Sequence, residues 1–407
     1  MSRQVVVTGV GAVTPLGVGA SALIERWTAG ECGLEDGKGE CRDFDPTTRL
    51  RRKEVRRTDR FAQLAVVAAD EAVEQAGWGD ELPYDPERVG CVLGSGIGGI
   101  TTIEESAFIL RDNGPEKALL MGKPLGIAMT MANAGSAMLS MRYGLQGPSF
   151  CTVSACAAGA HAIGSALRMI QSGEADAVVT GGAEAPLCML GILGFQIMHA
   201  TSPSGNSRPF DARRDGFVMG EGAGVLVLEA AEAALARGAT PLGELRGYGA
   251  STDAHHLTDP KPTGQAAARA MTLALADAGL KPGQIDYVNA HGTATELNDR
   301  IETQAIKTAL GDAAMDTPVS STKSAIGHLL GASGAVEAIA TLLALRNRMA
   351  PPTLGYGEPE PGLDLDYVPC EARPIMVRNN GSRHPAVGLS NSFGFGGHNA
   401  VICLSAA

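Results

Sequence analysis

Cys156 lies in the run Pro148-Ser-Phe-Cys-Thr-Val-Ser-Ala-Cys-Ala-Ala-Gly-Ala-His-Ala-Ile-Gly-Ser-Ala-Leu-Arg-Met-Ile170, whose residue types suit a nucleophile. The first part reads as a short buried strand, and Ile163, Leu167 and Ile170 then recur at helical spacing, so Cys156 falls at a strand-to-helix turn. Unpaired N–H groups and the macrodipole at a helix start favour a thiolate. Flanking Ala and Gly leave room around the sulfur. A lone cysteine in such a setting more often packs than reacts, because Cys is among the most buried residue types. Two histidines change the weighing. His291 follows a strand in Asn289-Ala-His-Gly-Thr-Ala-Thr295, and His328 lies beyond Lys323 in Lys323-Ser-Ala-Ile-Gly-His328. Each alone reads as a core histidine, but the three brought to one point would supply a nucleophile and two imidazoles.

The elements that must position them repeat. Residues 5–12 read as a strand followed by a glycine turn, in which Gly9-Val-Gly11 resembles half of a dinucleotide fingerprint without its third glycine or its acid. An Ala-rich amphipathic helix over 61–77 follows, then a strand running into a glycine loop over 89–99. After the Cys156 segment come a strand at 176–182 and two antiparallel strands across a glycine turn at 216–228. In the second part, 244–250 echoes the first strand, 285–295 echoes 89–99, the turn and helix after Lys323 echo those at Cys156, and 386–404 echoes 216–228. This order predicts two duplicated βα halves, 1–243 with the cysteine and 244–407 with both histidines. They pack through their helices into one compact body, with the site where they meet.

Length and composition agree with a close-packed α/β protein. The 407 residues can bury a large core. Hydrophobic residues make up 44% against 4% aromatics, with 53 glycines, so the interior must be built from small side chains. A net charge of −11 argues against a nucleic-acid surface. The eight cysteines show no paired CxxC units with zinc spacing, and no signal peptide or spanning helix is visible, which leads us to expect unpaired thiols in a reducing cytoplasm. Against the acidic background, Arg49, Arg51, Arg52, Lys53, Arg56, Arg57 and Arg60 form a basic run, readable as a solvated face or as a dock for an acidic partner. Met121, Met129, Met131, Met138 and Met141 suit core filling or an adaptable apolar channel.

The motifs Ser154-Ala-Cys-Ala-Ala-Gly, Asn289-Ala-His-Gly-Thr-Ala-Thr, Lys323-Ser-Ala-Ile-Gly-His-Leu-Leu-Gly-Ala and Asn391-Ser-Phe-Gly-Phe-Gly-Gly together resemble those of the elongating β-ketoacyl-acyl-carrier-protein synthases of the thiolase superfamily, in family order from Val5 to Leu404. The resemblance implies an α/β thiolase fold in a five-layered α-β-α-β-α arrangement and a decarboxylative Claisen condensation that lengthens an acyl chain by two carbons. It implies Cys156 as acyl acceptor and His291 and His328 as hydrogen-bond donors to a malonyl thioester. Lys323 and Glu337 would form a supporting pair near His328. Backbone N–H groups of Cys156 and Phe395 would form the oxyanion hole. Residues 391–397, with Asn391, Phe393, Gly394, Phe395, Gly396 and Gly397, would gate the site, and Asp253 and His256 would belong to a second loop packed on that gate. Thr293 and Thr295 would hold malonyl or pantetheine, Ile97 and Phe195 would line the acyl pocket, and Lys53, Arg56 and Arg57 would dock the carrier protein.

No metal or cofactor is implied. The implied partners are acyl- and malonyl-loaded carrier protein, and either a second copy or a chain-length factor. Two histidines fit the elongating rather than the initiating branch, and the intact cysteine argues against a chain-length factor itself. Fatty-acid and type II polyketide or polyene chemistry both stay open. Three departures from the pattern stand out: Glu296 where relatives carry proline, His199 where they carry arginine, and a longer segment 100–125, expected at a dimer interface and the pocket floor.

Overall fold

The computed structural model describes residues 3–79, 81–377 and 385–407. An eleven-stranded sheet runs from Ser149–Thr152 through Val89–Gly94, Ala177–Glu184 and Gly222–Ala230 to Val5–Thr14. It continues through Gly243–Thr252, His398–Ala406, Val387–Gly394 and Tyr287–Asn289 to Val319–Ser320, with Gly17–Val18 paired to the first strand. The second five repeat the first five in reverse order. In each run the outer two pairings are parallel and the inner two antiparallel. Within the sheet, the described residues join the two runs through Val6↔Glu244 and Val7↔Gly243.

Helices Ala158–Gln171 and Ser333–Asn347 pack on each other and each touches strands of both runs, forming the middle layer. Small residues permit this. A Cβ on Gly159 would stand 2.9 Å from the Ala335 nitrogen, so the two backbones are in contact there. Residues 333–345 are all buried, as expected of a helix enclosed on every side. Arg60–Gln75 covers the outside of the first run, and Gln265–Asp277 and Glu296–Leu310 lie outside the second, completing five layers.

Three local expectations fail for physical reasons. Gly9 and Gly11 make no turn but lie within Val5–Thr14, where a Cβ would come 1.9 Å and 2.0 Å from the Ala72 and Ala68 carbonyl oxygens, so they admit the covering helix rather than a nucleotide. The counterpart of the C-terminal hairpin is the pair Ala177–Glu184 and Gly222–Ala230, not 216–228. Between them the chain leaves the sheet, and Phe217, Met219 and Gly220 bridge to Thr201, His328 and Gly39. The strand before Cys156 is an edge strand with Val89–Gly94 as its one partner, so Ser149 and Phe150 are exposed rather than buried. The helix Ile100–Met121 bends at Gly114-Pro115 and leaves Leu119 and Leu120 87% exposed, beside exposed Ile127, Met131 and Met141, so only some of the methionines fill the core. Among the described residues, no helix is long and apolar enough to cross a membrane.

Candidate active site

Cys156 stands between Ser149–Thr152 and Ala158–Gln171, on a turn where Ala155 takes φ 50°. A non-glycine residue held at positive φ is a strained feature that the surrounding packing must maintain. The sulfur is buried, and its Sγ lies 3.0 Å from His328 Nε2. Burial pushes the thiol up to about 12, against smaller downward effects of the Lys323 charge and the Phe395 N–H. In the resting state burial thus favours the protonated thiol, against the acidifying effect expected of the helix start. The resting sulfur keeps its proton, and His328 Nε2 is positioned to receive it.

His328 Nδ1 lies 2.9 Å from Ser333 Oγ, a partner that the sequence did not single out. A hydroxyl can accept from Nδ1–H or donate to bare Nδ1, so Ser333 supports either tautomer. His291 Nδ1 lies 3.4 Å from Lys323 Nζ, an arrangement that leaves Nε2 as the protonated nitrogen. Lys323 thus contacts His291 while its charge also acts on His328, and its ammonium pairs with the buried carboxylate of Glu337, which burial pushes up to about 7. The two imidazoles meet edge to face with ring centroids 5.4 Å apart, and Phe217 packs on His328 in the same way at 5.2 Å. Burial, reinforced by the Lys323 charge, holds both histidines well below their ordinary pKa, so both are neutral at physiological pH.

Glu302, also absent from the sequence reading, accepts from His291 N (2.8 Å), Gly292 N (2.7 Å) and Asn391 Nδ2 (3.0 Å). A helix carboxylate facing backbone N–H groups of a loop leaves no motif in the chain, so nothing marked it. Asn391 belongs to this support and not to the gate: it is buried in Val387–Gly394, opposite Val401. The turn between the two hairpin strands holds Phe395, Gly396 and Gly397. It is tied to a second loop by Asp253 N to Gly397 O (2.9 Å), Asn399 Nδ2 to Asp253 Oδ1 (2.8 Å) and Gly396 N to Leu257 O (2.7 Å).

A cavity of about 500 Å³ opens onto these groups. Cys156, His291 and His328 line it together with Phe195, Thr293, Thr295, Phe393, Gly394, Phe395, Gly397 and Asp253. Thr293 and Thr295 hydroxyls bond each other at 2.9 Å. Ile97 is not in the cavity wall but packs on the cluster of Cys156, Phe217 and Leu330. His256 is exposed and bonds within its own loop, and Lys323, Glu337 and Gly396 stand behind the lining. Lys53, Arg56 and Arg57 are exposed and away from the cavity, as is Arg52, whereas Arg49, Arg51 and Arg60 are tied to Glu74, Glu54 and Glu221. The basic run is thus partly neutralised, and its free charge centres on Arg52, Lys53, Arg56 and Arg57.

Similar proteins follow the same plan. The family models for the β-ketoacyl synthase N-terminal and C-terminal domains match residues 36–234 and 242–357. A 3-oxoacyl-[acyl-carrier-protein] synthase 2 from Synechocystis is 46% identical, over 99% of this chain and 98% of its own. The solved ishigamide ketosynthase/chain length factor superposes with a TM-score of 0.90 at 34% identity, covering all of both chains. A type II polyketide ketosynthase, solved with its acyl-carrier protein and bound to the hexaketide, superposes at 0.89 and 31%, again over both full chains. A buried cysteine beside two neutral histidines, carried on duplicated halves that these models and relatives match nearly end to end, means that the chain belongs to the β-ketoacyl synthase family.

Proposed function

We propose that the chain is a condensing acyltransferase that joins an acyl group held on Cys156 to a malonyl unit delivered by a carrier protein. The observation that carries this reading is the 3.0 Å approach of His328 Nε2 to Cys156 Sγ with a second neutral imidazole packed edge to face beside it. In the first half-reaction the thiol proton moves to His328 Nε2 and the thiolate attacks the acyl thioester. Backbone N–H groups of Cys156 and Phe395 receive the oxyanion. The C–S bond to the carrier breaks, and the departing thiolate takes the proton back. In the second, the C–C bond of malonyl breaks with loss of CO2, and its electron pair becomes an enolate whose oxygen accepts hydrogen bonds from Nε2–H of His291 and His328. Ser333 permits the tautomer this requires of His328. The enolate carbon then attacks the acyl–cysteine carbonyl, a new C–C bond forms, the C–S bond breaks, and the thiolate takes up one proton from solvent water.

Lys323 and Glu337 then act as support for His291, Thr293 and Thr295 hold the malonyl or pantetheine arm, and Phe393, Gly394, Phe395, Gly396 and Gly397 with Asp253 and His256 form the gate. Ile97 and Phe195 shape the acyl pocket, and Lys53, Arg56 and Arg57 dock the acidic carrier. We place residues 1–243 and 244–407 as the two functional halves. Eight free cysteines favour a cytoplasmic setting. The exposed apolar side chains around Leu119, Ile127, Met141 and Phe150 favour a partner subunit, either a second copy or a chain-length factor. A second reading, a polyketide ketosynthase paired with a chain-length factor, is favoured by the full-length likeness to the ishigamide ketosynthase/chain length factor.

The test is intact-mass analysis after incubation with carrier proteins bearing saturated or polyene acyl chains. A mass gain that Cys156→Ala abolishes is expected. Retained chain extension by Cys156→Ala would overturn the assignment. Labelling by polyene chains alone, or only with a second subunit present, would select the second reading.

A further inference from the structure

The mouth of the cavity is charged in a way that the condensation itself does not call for. Three carboxylates line it, Asp253, Asp259 and Glu296, and among the described lining residues there is no lysine or arginine. Asp253 is engaged by Asn399 and by the Lys261 backbone N–H. Asp259 and Glu296 remain as rim charges, with side chains 58% and 68% exposed. Two guanidinium groups stand near Glu296, Arg300 at 3.1 Å from its carboxylate and the buried Arg214 at 3.2 Å from its carbonyl oxygen, and both are shared with Glu360, so neither fully offsets the rim charge. The exposed cations Arg52, Lys53, Arg56 and Arg57 lie outside the cavity wall.

We propose that Glu296 and Asp259 are specificity-determining residues that repel thioesters of free coenzyme A and so reserve the site for substrates tethered to a carrier protein; this rests on the reading given under Proposed function. The same pantetheine arm reaches the sulfur in both substrates, so contacts along the arm cannot separate them. Their distal ends differ. The carrier-bound arm ends in one phosphodiester, and the attached protein has the remote basic residues to hold it. Coenzyme A ends in a pyrophosphate and a 3′-phosphate, about four negative charges near neutral pH, with no protein attached. A carboxylate at the rim therefore penalises coenzyme A several times more than the carrier, a repulsive device for specificity. An acid in the first turn of Glu296–Leu310 also suits the helix dipole, and that local role predicts equal effects on both substrates.

The experiment measures acylation of Cys156 by hexanoyl-coenzyme A and by hexanoyl carrier protein, using intact mass, for the parent and for Glu296→Gln combined with Asp259→Asn. At low ionic strength, the ratio of the two specificity constants, carrier over coenzyme A, should fall by about tenfold, for rim-to-phosphate separations of roughly 10 Å in a high dielectric. In about 0.5 M salt the fall should shrink to less than about twofold, because screening then acts within roughly 4 Å. Glu296→Lys should move the ratio further in the same direction. A ratio that stays within twofold of the parent at low salt, or a change insensitive to salt, overturns the proposal. A parent enzyme that accepts no acyl group from the carrier at any salt overturns the underlying reading, and this one with it.

Discussion

A single methyl group added at Gly394 should disable acyl transfer while leaving the carrier bound. The ideal Cβ of residue 394 would stand 3.1 Å from the backbone nitrogens of both Cys156 and Ala157, and 2.8 Å from the Ser154 carbonyl oxygen. An oxyanion must come about 2.7–3.1 Å from its donor nitrogen, so the methyl would take the space that the oxygen needs. Loss of one such donor costs about 2.7–4 kcal/mol, or about 10²–10³ in rate. The close approach to Ser154 adds a packing cost of about 1–3 kcal/mol, which thermal unfolding measures separately. The control is Gly397→Ala in the same hairpin turn. There the φ of 73° and a Cβ 2.7 Å from Asp253 Cβ strain the gate without approaching Cys156. Rapid-quench acylation, read by intact mass, should fall by about 10²–10³ for Gly394→Ala with little change in KM for the carrier, and by far less for Gly397→Ala at comparable stability. A folded Gly394→Ala enzyme that acylates within tenfold of the parent would refute the placing of the oxyanion at the Cys156 N–H.

The other predictions concern the imidazoles and the docking surface. Ser333→Ala leaves His328 Nδ1 without its partner in a buried site, and both acylation and malonyl decarboxylation should drop by about tenfold or more, with Ser333→Thr restoring them; unchanged rates would show that the hydroxyl plays no part. His161, His291 and His328 all have pKa values lowered by burial from 6.5. As pH falls below that value the unfolded chain takes up protons first, so their contribution to stability is complete above it and declines on acidification. Tm should fall between about pH 6.5 and pH 5, while decarboxylation per folded molecule of Cys156→Gln stays level from about pH 7.5 to pH 6; a decarboxylation midpoint near 6.5 would contradict neutral burial. Charge reversal at Arg56 and Arg57 should raise KM for the carrier with kcat nearly unchanged, an effect that high salt erases; an unaltered KM would move the docking surface elsewhere.

Most of the strand pattern and the meeting of Cys156, His291 and His328 are legible because they depend on local signals: hydrophobic period, small-residue runs, and a repeat that reproduces itself as mirrored strand order. What was not legible depends on distance in the fold. Whether Gly9 and Gly11 turn the chain or admit a helix depends on where Ala68 and Ala72 come to lie, which no neighbouring residue announces. The same holds for the thiol of Cys156. Its helix start is visible in sequence, but the desolvation that overrides it comes from Phe217, Met219 and Leu330, packed from distant segments. Lys323 is near His328 in the chain, yet its ammonium contacts His291, because the loops that carry the two follow the paired strands Tyr287–Asn289 and Val319–Ser320. Ser333 and Glu302 carry no motif of their own and gain meaning from the histidines they touch.

The division of the catalytic set between two halves also sets an order in time. Cys156 is synthesised 172 residues before His328, the imidazole that stands 3.0 Å from its sulfur. The helix that seats Cys156 needs Ser333–Asn347 against its glycine face to complete the middle layer. At synthesis rates of about 5–20 residues per second, a nascent chain carries Cys156 without His328 for roughly ten seconds or more before the second half exists. Partly made chains therefore lack the imidazoles and the enclosed cavity, so an acyl group on the sulfur would have no malonyl partner to be passed to. Reactivity arrives last, as a by-product of completing the fold.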